Sequence, residues 1–145
     1  MGERSEALLP KEPAARARAV QWLIAALNSI EPHVMNFAIL DSFYGDQEWA
    51  KLRREGAKAF ALHRLGSLAK ALVDKPYLDG DRFTAGDLMM ASVLRIEAEL
   101  LEPNLIAYRE RCTARPAFKA ALAAQLGDFA EAAEVRARRP SGRPR

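Results

Sequence analysis

The sequence predicts an all-α bundle of about five to six helices, with two long, antiparallel helices first and a buried helix at the centre. Three observations lead there. Apolar residues recur at spacings of three and four along most of the chain, and no stretch alternates apolar and polar residues long enough to make a strand. Turn-forming residues interrupt these segments at Phe43-Tyr44-Gly45-Asp46, across 74–82 and at Arg115-Pro116. The 145 residues are 50% apolar and 28% charged, the balance of one ordinary domain with a single core. Such a composition excludes an intrinsically disordered chain.

The first helix is expected over about residues 12–42. Val20, Leu23, Leu27, Ile30 and Val34 form its apolar stripe, with Ile24 beside it. Pro13 suits a helix start, where a missing amide does little harm. Pro32 should bend or end the helix, because its ring meets the carbonyl of Asn28. After the turn, Asp46 is a candidate N-cap. A second long helix runs from about Gln47 to Val73, with Trp49, Leu52, Phe60, Leu65, Leu68 and Leu72 as its apolar residues. Gly56 and Gly66 each weaken it by about 1 kcal/mol relative to alanine. The breakers of 74–82 make a loop. A third helix runs from Phe83 toward Ile106, and Pro103 or Asn104 opens a fourth. Beyond Arg115-Pro116 a fifth carries Phe118, Leu122 and Leu126, and Gly127-Asp128 sets off a short last segment with Phe129.

The stretch Phe83-Thr84-Ala85-Gly86-Asp87-Leu88 carries the most local information. Thr84 at the N-cap can accept from the amide of Asp87, and the Asp87 carboxylate can reach back to the amide of Thr84. Phe83 and Leu88 are spaced to pack as a hydrophobic staple. The residues beyond are apolar nearly all round, which places this helix inside the bundle. Thr84 and Asp87 therefore read as structural. Replacing Asp87 by alanine is expected to cost about 1–3 kcal/mol by stranding a buried donor.

Charge is unevenly spread. Arg136, Arg138, Arg139, Arg143 and Arg145 lie in the last eleven residues, with no acid among them; removing these five from the 22 basic residues leaves 17 against 19 acidic ones, a net of −2 for the rest. Residues 1–10 read as a linker-like segment, 11–134 as the helical domain and 135–145 as a disordered basic tail. That tail could bind nucleic acid, but the acidic body and the lack of interleaved aromatics favour a solvated terminus. No apolar run approaches the roughly 20 residues of a membrane span. Acidic residues in the first thirteen positions, together with the lone Cys112, point to a cytoplasmic setting.

Other chemistries find little support. His33, His63 and Cys112 are too far apart in sequence for a zinc motif or a Cys–His pair. No serine sits in a Gly-x-Ser-x-Gly elbow, and there is no glycine-rich phosphate loop. Cys112 reads as a small buried hydrophobe, and both histidines as surface or core-edge residues.

Three pieces in order carry a resemblance. They are Arg16 to Leu23 with Asn28-Ser29-Ile30-Glu31-Pro32, the cap at 83–88, and Pro103 to Tyr108 leading to Ala114-Arg115-Pro116-Ala117-Phe118. Over about residues 10–130 the chain resembles the C-terminal helical domain of glutathione S-transferases, especially bacterial ones. In that family a thioredoxin-like domain precedes the helices, activates the glutathione thiol and holds the tripeptide. Nothing in this sequence corresponds to it.

The resemblance therefore implies the electrophile-side and dimer-forming half of a conjugating enzyme. No catalytic residue, metal or tightly bound cofactor is expected in the chain itself, and conjugation is expected only together with a thioredoxin-like domain. Glutathione would be a co-substrate and a hydrophobic electrophile the second substrate. A homodimer or a separate thioredoxin-like chain would be its partner. Asn28, Glu31 and Met35, with Trp22 nearby, are the implied pocket wall; Trp22 and Met35 also read as ordinary core, and Glu31 as either solvated or touching a glutathione amine. The alternative is a stand-alone, non-catalytic protein–protein interaction module of the same fold.

Overall fold

The computed structural model describes residues 6–96 and 100–138, with side chains described through Phe129. Its helices are α1 (Pro13–Ala25), α2 (Glu31–Ser42), α3 (Glu48–Leu72), α4 (Ala85–Val93), α5 (Pro103–Thr113) and α6 (Pro116–Arg138). Among the described residues there is no strand, only isolated bridges Tyr77 to Gly80 and Asp79 to Arg82. The chain divides into two units, residues 1–112 and 113–145.

Helix α1 begins at Pro13, and the side chain of Glu12 accepts from the amides of Ala14 at 2.8 Å and Ala15 at 2.6 Å. Those two donors hold the Glu12 carboxyl below its usual range. Pro32 does not end the helical run but lies in the first turn of α2. A π-turn over Ala26–Ile30, in which the Glu31 amide bonds to the Ala26 carbonyl, joins α1 to α2. A π-turn holds one more residue than an α-turn, which suits a proline whose ring would meet the Asn28 carbonyl in a regular helix. By length and composition alone, the 30-residue run Pro13–Ser42 is long and apolar enough to cross a membrane. Here one face of it is core: Ala19, Ala26, Ile30, Val34, Phe37 and Leu40 are buried. Val20, Ile24 and Leu27, expected on the inner stripe, lie instead on an exposed face with Met35 and Ile39.

A short turn returns the chain into α3, with Gln47 rather than Asp46 at the N-cap position. The inward stripe of α3 is Ala50, Ala57, Ala61, Leu65, Leu68 and Leu72. Small side chains let this helix sit close to α2. The larger residues expected there face outward: Leu52 is 85% exposed, Phe60 64% and Trp49 46%. Trp49 packs on Tyr44 at 5.1 Å, and Phe60 stacks on His33 at 6.0 Å. Helix α3 ends on Val73 at φ 51°, a left-handed conformation that disfavours a β-branched residue.

Helix α4 is shorter than the sequence suggests. Past its end at Val93 the chain is held by α5: Arg109 donates to the Leu94 carbonyl at 3.4 Å and the Ile96 carbonyl at 3.2 Å. Gly86 brings α4 against α1. A Cβ there would stand 2.5 Å from Trp22 Cβ and 3.2 Å from the Ala19 carbonyl oxygen. In the second unit, α6 passes through Gly127 without a break, since an isolated glycine weakens a helix but does not end it. Val135–Arg138, expected in the tail, are the end of α6; 139–145 lie outside the described residues.

Candidate functional site

Two places gather the residues singled out from the sequence. The first is the start of α4, where Thr84 and Asp87 are both fully buried. The Thr84 side chain accepts from the Asp87 amide, and Asp87 Oδ2 accepts from the Thr84 amide at 2.8 Å and from its hydroxyl at 3.0 Å. Asp87 Oδ1 accepts from the Leu78 amide at 2.8 Å and from the Tyr108 hydroxyl at 3.0 Å. One carboxylate thus ties together the turn before α4, the first turn of α4 and the middle of α5. Burial, reinforced by the Asp87 charge, pushes the Tyr108 hydroxyl far above the usual phenol range, so it remains a donor.

The N-terminal segment closes the other side of this cap. The Leu8 carbonyl accepts from the Ala85 amide at 2.9 Å, Arg82 donates to the Glu6 carbonyl, and Pro10 is buried. Arg18 of α1 holds Asp79 at 2.6 Å. Of the expected staple, Phe83 packs edge-on against Tyr77 at 5.4 Å, while Leu88 is 39% exposed. No group here is placed for proton transfer to a substrate, because every oxygen of the carboxylate is occupied by a buried donor.

The second place is the outer face at the junction of α1 and α2. Asn28 and Met35 are exposed there and Glu31 is half-buried; Glu31 and Met35, four residues apart, share one side of α2, and Asn28 lies on the π-turn just before them. Trp22 does not join them. Its Cβ faces Gly86 of α4, and its ring lines a separate cavity with residues of α3 and α4. Only the resemblance places Trp22 with them; at six residues from Asn28 and nine from Glu31 it lies off their side of a regular helix as well. His33 lies against Phe60, His63 is exposed and Cys112 is buried. Among the described residues no group of three His, Cys, Asp or Glu could hold a metal ion.

No family model matches the chain, and no curated protein matches it. Solved structures do. A glutathione transferase from Burkholderia graminis, with two glutathione molecules bound per subunit, superposes with a TM-score of 0.69 at 23% identity, covering 81% of this chain and 53% of its own. A glutathione transferase family member from Pseudomonas fluorescens, with two glutathione bound, gives 0.69 at 27% identity, over 81% of this chain and 56% of its own. A glutathione S-transferase from the same species gives 0.66 at 21%, over 79% and 59%. The chain therefore spans somewhat more than half the length of the structures it matches. It has the all-α fold of the helical domain of glutathione transferases.

Proposed function

We propose that this chain is the electrophile-side half of a glutathione-conjugating enzyme, acting with a thioredoxin-like domain. The observation that carries the reading is the outer face of α1 and α2. There Met35, 45% exposed, stands with Asn28 and Glu31 beside the uncovered side chains of Ile24, Leu27 and Ile39, in a fold whose solved neighbours hold glutathione. An apolar surface with a flexible thioether and a few polar groups suits a hydrophobic electrophile of variable shape. The reactive thiolate would be supplied and stabilised by the other domain, since this face offers no cation or buried donor set for it. Glu31 is the group here that could accept from a glutathione amine.

In this reading the buried cap is a positioning device. It fixes the entry of α4, which through Gly86 fixes α1 and the face that α1 begins. The test is conjugation of glutathione to a dinitrophenyl halide. The purified chain alone should give no turnover above a heat-killed control, and the chain with a bacterial transferase's thioredoxin-like domain fused ahead of it should give clear turnover. The second reading is a non-catalytic interaction module. Leu52 and Phe60, which project from α3 into solvent, favour it. It predicts that the fused protein folds but conjugates nothing.

A further inference from the structure

We propose that the cavity between α1, α3 and α4 is a binding site for a small apolar carboxylate, a single aromatic ring bearing an acidic arm, with Arg64 as its anion partner. This site is distinct from the outer face of α1 and α2 and does not depend on the transferase reading. Trp22, Ile30, Leu68 and Met90 wall a space of about 210 Å³, and the short side chains of Ala25 and Ala71 leave the room. An enclosed apolar cavity of about 150 Å³ accommodates benzene; this space is open to solvent on one side and is of a size for a ring and a short substituent.

The polar lining decides what the substituent must be. It consists of Arg64, Ser29 and Ser67. Arg64 makes no ion pair with any described residue, unlike Arg18 and Arg54, which hold Asp79 and Asp41 at 2.6 Å each. The Ser67 hydroxyl donates to the His63 carbonyl at 2.9 Å and has no proton to give. Ser29, on the π-turn, makes no side-chain hydrogen bond to a described residue. A π-turn inside a helix often marks a ligand site, because it turns one side chain out of the regular pattern. The cavity is therefore an apolar groove with Arg64, an exposed arginine without an ion pair among the described residues, and Ser29 at its margin. An anionic acceptor on an apolar body matches it, whereas a cation would meet Arg64 and a polar ligand would meet the walls.

Trp22 in the wall reports the test. The chain has two tryptophans, so Trp49→Phe leaves Trp22 as the only one. Titration of this variant with phenylacetate should change the Trp22 emission saturably. Arg64→Ala should weaken binding about tenfold or more with an unchanged melting curve, as expected for loss of a charge-assisted contact. Arg64→Lys should recover part of the affinity, and phenethylamine should bind far more weakly than phenylacetate. The proposal is overturned if phenylacetate produces no saturable change, if Arg64→Ala binds as tightly as the parent, or if phenethylamine matches phenylacetate.

Discussion

Replacing Asp87 by alanine should lower stability as much as truncating a large, fully buried core side chain. The carboxylate accepts from four donors on three segments: the Leu78 amide, the Thr84 amide and hydroxyl, and the Tyr108 hydroxyl, all buried. A net hydrogen bond to a charged group is worth about 1.5–3 kcal/mol, and a buried donor left unpaired costs about 1–3 kcal/mol. These contributions are not additive, because water can enter the space the carboxylate leaves. A loss of about 3–5 kcal/mol is therefore expected, above the 1–3 kcal/mol that follows from the sequence alone. Asp87→Asn should cost about 2–3 kcal/mol, because its carbonyl can serve Leu78 and Tyr108 while its amide faces the Thr84 N–H. Tyr108→Phe should cost about 1 kcal/mol, since Leu78 still satisfies Oδ1. Urea unfolding followed by far-ultraviolet circular dichroism gives all three values. The reasoning is refuted if Asp87→Ala falls within about 0.5 kcal/mol of the parent, or if the alanine and asparagine variants are equally stable.

Three further outcomes follow from the same geometry. The raised pKa of Tyr108 means the folded state holds its proton above pH 10.0, where a free phenol loses it, so this contribution is complete below that pH and fades as pH rises further. In an alkaline titration, the tyrosinate absorbance missing from Tyr108→Phe should appear only as the helical signal is lost; its appearance in the folded protein would contradict this. Gly86→Ala should destabilise by about 1–3 kcal/mol, because the new methyl meets Trp22 Cβ and the α1 backbone, whereas Gly56→Ala, which meets nothing within 4 Å, should stabilise by about 0.5–1 kcal/mol. Val73→Gly should raise stability by about 1 kcal/mol by relieving its left-handed backbone, and a lower urea midpoint would show that the strain is offset elsewhere.

How much could be read from the sequence depended on the range of each interaction. The starts of α3, α5 and α6 were legible because they follow from local breakers and prolines. The pairing of Thr84 with Asp87 is likewise three residues long. Its partners were not legible: Leu78 lies nine residues before Asp87 and Tyr108 twenty-one after, and nothing in the spacing joins them. The contact of Arg109 in α5 with the segment just after α4 is also a tertiary fact. In α3 the sequence misleads for a different reason. Large apolar residues draw attention, yet close packing selected the alanines, and Leu52 and Phe60 point out. At the candidate wall, resemblance alone groups Trp22 with Asn28, Glu31 and Met35, and its separations of six, nine and thirteen residues do not share a helical face with them.

Steady-state kinetics of the fused enzyme carrying Met35→Arg measure the outer face itself. With that side chain in the electrophile wall, KM for the dinitrophenyl halide should rise about tenfold while KM for glutathione and the urea midpoint stay put. An electrophile KM equal to that of the parent fusion would mean that the pocket lies elsewhere and that this face of α1 and α2 serves another purpose.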